Sequence, residues 1–438
     1  MKKLQKIGLI AIFFFYCFGL TIIAQVPGNK TLENKIKSLP DVESVKIIDH
    51  PADFANAYEI KIRQHLDHAN PNSEMFLQKI YLYNRSKYAP MVISTEGYSA
   101  REYVTEPAKL LCANQIIVEN RFFADSRPKD MDWKYLTSKQ CAEDIHHITT
   151  IFKNLYHDKW ISTGISKGGQ TCLFYRYYFP NDVDATIAYV APINLAQENP
   201  AINKFISSEV GTKECRDKIT QFQIALLKNR AKIIPRIREI AKKKNYKFSI
   251  GIESAFEFAV LEYPFSFWQW GQSSCKDIPA KNATPQQLFD ELNKVSGFSL
   301  FSDKEAQYLA PLFYQSYTEL GYYNFDYNSP EVLKLLKADS NASYGQFLPK
   351  GIPVVYNPEV LQSIYKWLRE KGSNIIYVNG GNDPWSGGAG MKLNGKTNSF
   401  EVVKQEGTHA TRIKDLSAPD KKKVLTSLEE WLGKILCH

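Results

Sequence analysis

The residues best able to do chemistry begin at Gly164-Ile165-Ser166-Lys167-Gly168, a G-x-S-x-G pattern. Alone it is a weak signal, but its surroundings are specific. Residues 159–163 read as a strand running into the motif, and residues 171–179 as a helix leaving it. A strand–serine–helix turn presents the hydroxyl at the carboxyl edge of a sheet, with a helix N-terminus beneath any developing oxyanion. Glycines at 164 and 168 remove side chains where strand and helix crowd together. The competing reading is an ordinary strand–turn–helix with an incidental serine.

A serine hydroxyl needs a base, and the base needs an orienting acid. In this arrangement the order along the chain is serine, acid, histidine. Of the eight histidines, His50, His65, His68, His146, His147 and His157 precede Ser166, and His438 is terminal. That leaves His409, in the loop after the apolar run 400–403. Asp383, in Gly381-Asn382-Asp383-Pro384, follows the apolar run 374–378 and precedes His409 by 26 residues. The alternative for Asp383 is a plain Asn-Asp-Pro turn. One oxyanion donor is then the N–H of Lys167. The other comes from the loop after the run 91–95, where Tyr98 is chosen and Gly97 is the alternative.

These groups suit acyl transfer through an acyl-enzyme. The imidazole acts as base only when neutral, so the rate should fall toward acid. A carboxylate facing the pocket would bind a substrate ammonium; Glu96, Glu253, Glu257 and Glu262 are the candidates. Trp268 and Trp270 are candidates for the pocket lining. The alternatives are salt-bridged or exposed carboxylates and lid-core tryptophans. No residue grouping calls for a metal or a cofactor, and there is no CxxC pair.

The elements that must position these residues alternate between strand and helix patterns. Residues 57–64, 76–84, 90–95, 115–118, 159–163 and 185–190 read as strands, and 137–155 and 166–179 as helices. Between about 193 and 350 helical patterns dominate. Apolar runs return at 352–356, 374–378 and 400–403, and 419–435 is an amphipathic helix. This predicts an α/β class: a mainly parallel sheet flanked by helices with a large helical insertion. The expected division is a leader at 1–24, a catalytic α/β domain from 25–193 and 351–438, and a helical lid at 194–350.

Composition sets the outer limits. The chain has 438 residues, 44% hydrophobic and 23% charged, which excludes wholesale disorder or coiled coil. Basic Lys2, Lys3 and Lys6 precede an apolar stretch from 7 to 23, then Ala24-Gln25. This is the pattern of a secretory signal, with a retained anchor as the alternative. Export to the periplasm or medium is expected, with no stable membrane partner after cleavage. Removing residues 1–24 lowers the formal charge from +9 to +6. The basic run 228–247 is expected to be the wet face of a helix, and without a recognition motif nucleic acid is not a partner. Six of the seven cysteines lie beyond the leader, allowing 15 pairings, of which Cys215–Cys275 is the one expected.

Four blocks carry a family resemblance. They are Ser94-Thr95-Glu96-Gly97-Tyr98, Thr163-Gly164-Ile165-Ser166-Lys167-Gly168-Gly169, Gly381-Asn382-Asp383-Pro384-Trp385, and Gly407-Thr408-His409-Ala410-Thr411-Arg412. Together with Glu119-Asn120-Arg121-Phe122-Phe123, they resemble the secreted bacterial tripeptidyl aminopeptidases. Those are serine peptidases of α/β-hydrolase fold, more distantly related to prolyl carboxypeptidase and dipeptidyl peptidase. The resemblance implies a Ser166–Asp383–His409 triad and release of tripeptides from free N-termini of peptide substrates. Thr408-His409-Ala410 departs from the Asn-His-Gly expected there. Two other readings share the sequence: an ester hydrolase with the same triad, and a non-catalytic binding protein of the same fold.

Overall fold

The computed structural model describes residues 28–338 and 342–437, so the leader reading of residues 1–24 lies outside the described residues. Nine strands form one sheet: β1 (Val42–Ile48), β2 (Asn56–His65), β3 (Met75–Asn84), β4 (Met91–Thr95), β5 (Asn114–Val118), β6 (Trp160–Ile165), β7 (Ala185–Tyr189), β8 (Ile375–Gly380) and β9 (Phe400–Lys404). Their order is β1-β2-β3-β5-β4-β6-β7-β8-β9. The first four in that order pair antiparallel; from β5 through β4 to β9 every pairing is parallel. β4, β5, β7 and β8 are buried at every residue. Strands covered on both faces have no polar alternation, which is why they read as unbroken apolar runs. This is the mainly parallel α/β sheet expected from the strand–helix alternation, in the α/β-hydrolase arrangement that the family resemblance implies.

Helices cover both faces. Ser138–Phe152, capped by the Thr137 side chain on Gln140 N, packs Ala142, Ile145, Ile148 and Phe152 against Ile93 and Ile116. On the opposite face Ala418–Leu432 packs Val424, Leu428 and Leu432 against Val92, Ile161 and Val378. One helix was missed. Residues 352–356, expected as a strand, are irregular, and the layer is completed by Pro358–Glu370. Its Leu361, Ile364 and Leu368 share a cluster with Cys172 and Leu173 of the helix after Ser166. Proline at the first turn of a helix is favourable, but in sequence it reads as a breaker.

The insertion between β7 and β8 is helical. Lys213–Lys228, Arg230–Lys244, Ile252–Trp270, Pro285–Val295 and Asp303–Gln315 share one large core. Pro264 lies inside the long helix Ile252–Trp270 and has no N–H for the carbonyl of Val260. Gln223 Nε2 donates to that carbonyl instead, at 2.7 Å. In Arg230–Lys244 the isoleucines 233, 234 and 237 face the core while Lys232, Lys242, Lys243 and Lys244 are exposed. Most of the basic run is therefore a solvated helix face, with the buried Arg230 as the exception.

Two disulfides are present among the described residues. Cys215–Cys275, the expected pair, staples the insertion, and Cys112–Cys437 ties the chain's end to the loop before β5. Cys141 and Cys172 are free and buried. Among the described residues no helix is long and apolar enough to cross a membrane.

Candidate active site

Ser166 stands between β6 and the helix Lys167–Tyr178 with φ +57° and ψ −124°, a backbone conformation that L-residues seldom adopt. Strain of that kind persists only where surroundings over-determine it. Here Ser166 N donates to Tyr189 O at 2.9 Å, and Ser166 O accepts Gln170 N at 2.9 Å. A Cβ on Gly164 would run into the carbonyl of Gly168, and one on Gly168 would run into the carbonyl of Thr95. Both glycines are thus required by close approach. Ser166 Oγ makes no hydrogen bond among the described residues.

β6, β7, β8 and β9 are successive parallel neighbours, so the loops that leave their carboxyl ends share one edge. Ser166 leaves β6, Asp383 follows β8 and His409 follows β9. Asp383 is fully buried, and its Oδ2 accepts His409 Nδ1 at 2.9 Å and Ser386 Oγ at 2.7 Å. Its Oδ1 caps the short helix Pro384–Ala389 through Trp385 N. The carboxylate partner assigns the proton to Nδ1 and leaves the Nε2 lone pair free. His409 is 3% exposed, its N–H donates to Gln269 O at 2.8 Å, and its ring meets Trp270 edge-on at 5.4 Å. The long inserted helix therefore ends on the histidine loop. Of the two hydrogen bonds in a Ser–His–Asp relay, the structure closes the one between Asp383 and His409. Ser386 was not singled out in the sequence; its only signal is a position three residues after Asp383, in the first turn of a helix.

The two loops expected to supply oxyanion donors touch. A Cβ on Gly97 would fall 2.6 Å from Lys167 Cβ and 2.7 Å from Gly168 N. Neither Lys167 N nor Tyr98 N donates to an acceptor among the described residues. Lys167 Nζ is buried over the rings of Phe123 and Tyr98, at 5.5 and 6.0 Å, and burial pushes its amine down to about 8. The cation–π contact fastens the Tyr98 loop to the serine helix.

The four candidate carboxylates separate by environment. Glu253 and Glu257 share Arg230, at 3.3 and 2.5 Å, and Glu257 also accepts the N–H groups of Lys337 and Ala338. Glu96 Oε1 accepts Tyr103 OH at 2.7 Å, and burial raises its carboxyl. Glu262 is caged by hydroxyls: Ser266 at 2.6 Å, Tyr323 at 2.7 Å and Tyr344 at 2.6 Å. Neither Glu96 nor Glu262 makes an ion pair among the described residues. Trp268 is buried in the insertion beneath Gly211, whereas Trp270 is 47% exposed beside His409.

Burial pushes the Glu262 carboxyl up to about 7 from the ordinary 4.5, so the fold favours its protonated form. A raised carboxyl contributes stability that is whole below the unfolded value and is lost as pH rises through the folded one. In that window the slope is about 1.4 kcal/mol per pH unit. The melting temperature is therefore expected to fall between about pH 5 and pH 7. Glu262→Gln, which carries no titrating proton, should flatten that fall. Parallel curves for the two proteins would assign the pH dependence elsewhere.

A family model described as PS-10 peptidase S37 matches residues 27–436. The prolyl tri/tetrapeptidyl aminopeptidase of Streptomyces mobaraensis is 31% identical over 413 residues, covering 92% of this chain and 85% of that protein. A Caenorhabditis elegans protein named as a serine protease is 25% identical over 242 residues, covering 49% of this chain and 47% of its own. Among solved structures, proline iminopeptidase of Mycobacterium smegmatis aligns with a TM-score of 0.38 and 12% identity, covering 89% of this chain and 98% of that one.

Proposed function

This chain belongs to the S37 peptidases, the PS-10 family, and from that premise we propose that it is an exported serine exopeptidase that releases short peptides, tripeptides foremost, from free N-termini. The observation that carries the reading is the buried Asp383–His409 hydrogen bond on the same sheet edge as the strained Ser166 turn. His409 Nε2 takes the proton of Ser166 Oγ as the oxygen attacks the scissile carbonyl. Asp383 holds the tautomer and stabilises the imidazolium. The N–H groups of Lys167 and Tyr98 receive the oxyanion, worth about 3–4 kcal/mol per donor. His409 then returns the proton to the leaving amine, and water hydrolyses the acyl-enzyme by the reverse relay.

Of the four candidate carboxylates for the substrate ammonium, Glu253 and Glu257 are tied to Arg230, while Glu96 and Glu262 make no ion pair among the described residues; Arg101 acts on Glu96 through space, and Glu262 would bind an ammonium only on releasing the proton that its burial favours. Trp270, exposed against His409, lines the cleft at the scissile bond. Export is supported by the leader pattern of residues 1–24 and by the two disulfides, which belong to oxidising compartments.

A panel of di-, tri- and tetrapeptide aminocoumarin amides, with free and acetylated amino ends, tests the reading. The free tripeptide should have the highest kcat/KM, and acetylation should lower it by at least about tenfold, the equivalent of roughly 1.4 kcal/mol. Loss of that discrimination in Glu262→Gln or Glu96→Gln would identify the anchor. Hydrolysis of p-nitrophenyl esters with no turnover of any peptide amide would instead make the protein an ester hydrolase.

A further inference from the structure

Four hydrogen bonds run from residues 118–120, at the end of β5, to alternate residues of the loop after β4. Val118 O accepts Glu96 N at 3.0 Å, and Asn120 Nδ2 donates to Glu96 O at 3.1 Å. Asn120 N donates to Tyr98 O at 3.0 Å, and Glu119 Oε2 accepts Ala100 N at 2.9 Å. Residues 96, 98 and 100 are thus pinned.

A trans peptide unit is planar, with its C=O and N–H pointing opposite ways, so holding the carbonyl fixes the whole plane. Asn120 holds the carbonyls of Glu96 and Tyr98. The Gly97–Tyr98 peptide between those two units carries the Tyr98 N–H, which donates to no acceptor among the described residues. Gly97 gives this stretch little intrinsic restraint, yet it cannot be exchanged for a stiffer residue, because a Cβ would strike the Lys167-Gly168 backbone. The rigidity must be supplied from outside the loop.

The segment that supplies it is itself held in costly backbone. Phe122 and Ala124 have φ of +70° and +39°. Glu119 Oε1 accepts both Ser126 N and Ser126 Oγ, and Arg121 binds Asp144 through Nε and Nη2 at 2.7 Å each. Strained loops that are over-determined in this way cluster at functional sites.

We propose that Asn120 is a positioning residue for the oxyanion hole: through its side-chain and backbone N–H groups it orients the peptide whose Tyr98 N–H meets the developing oxyanion. The proposal rests on the reading of Ser166 as nucleophile. Asn120 touches no reacting atom.

Asn120→Asp keeps the shape and puts an oxygen in place of the Nδ2 donor opposite Glu96 O; Asn120→Ala removes the side chain and serves if the aspartate variant does not fold. Fluorophosphonate labelling of Ser166 places a P–O oxygen in the hole and requires no peptide substrate. The labelling rate and kcat are expected to fall about 10- to 100-fold, less than the loss of a donor outright. Affinity for a tetrahedral peptide boronic acid should fall by the same factor. KM and affinity for a product tripeptide should stay within about threefold, a split that general loosening of the cleft would not give. Wild-type labelling and turnover in a folded variant would overturn the proposal, as would equal losses of boronate and product affinity. Failure of the wild-type protein to label at Ser166 would overturn the nucleophile reading itself, and this proposal with it.

Discussion

Ser166→Ala is expected to lower kcat on a tripeptide amide on the order of 10⁶-fold and to abolish fluorophosphonate labelling, with little change in melting temperature. The two halves of that result have separate causes. Catalysis fails because no other hydroxyl stands on the strained turn with its oxygen free of hydrogen bonds. Stability survives because the Ser166 side chain anchors nothing. The turn is held by backbone bonds, Ser166 N to Tyr189 O and Gln170 N to Ser166 O, which alanine keeps. Activity above about one part in a thousand, in a preparation shown free of wild-type protein, would mean that Ser166 is not the nucleophile.

Asp383→Asn should lower kcat by about 10⁴-fold with KM nearly unchanged. The carboxylate only accepts, so it requires a proton on His409 Nδ1 and leaves Nε2 basic. An asparagine amide also donates. In the fixed position between Ser386 Oγ and His409 Nδ1, it can turn its NH₂ to the ring, moving the imidazole proton to Nε2, where it blocks the base. The cost therefore falls on the transition state, where the imidazolium also loses its counter-charge. Measuring kcat and KM separately decides the matter: a variant that lost substrate affinity instead would show that Asp383 serves the cleft and not the base.

Much of this was legible in the sequence, and the legible part has a common origin. The buried parallel strands announce themselves by apolar composition, because no residue of β4, β7 or β8 faces water. The serine turn is written in two glycines that steric contact demands. Elimination among the histidines leaves His409 as the candidate base, and a strand-end loop offers Asp383 as the candidate acid. The Cys215–Cys275 pair lay within one inserted region, only 60 residues apart. Cys112–Cys437 spans 325 residues and has no such local signal.

Other features depend on which segments meet. Glu253 and Glu257 look like pocket carboxylates until the fold brings Arg230 between them. Pro264 looks like a helix breaker until Gln223, from another helix, satisfies the carbonyl it leaves bare. Asn120 and Ser386 are ordinary polar residues whose work is defined by partners on other loops or turns. Pro358–Glu370 was obscured because a cap and a first-turn proline resemble a break when only neighbours in sequence are considered.

The sequence by itself determined most of the strands, the glycines of the serine turn and a candidate order of serine, acid and histidine, since propensity, burial and close backbone approach leave marks within a few residues. Only the tertiary structure decided which carboxylates make ion pairs, that Asn120 holds the loop after β4, and that His409 is hydrogen-bonded to Asp383 and meets Trp270 edge-on. Those depend on directional hydrogen bonds between segments up to hundreds of residues apart, and side-chain identity does not specify a partner until the chain has folded.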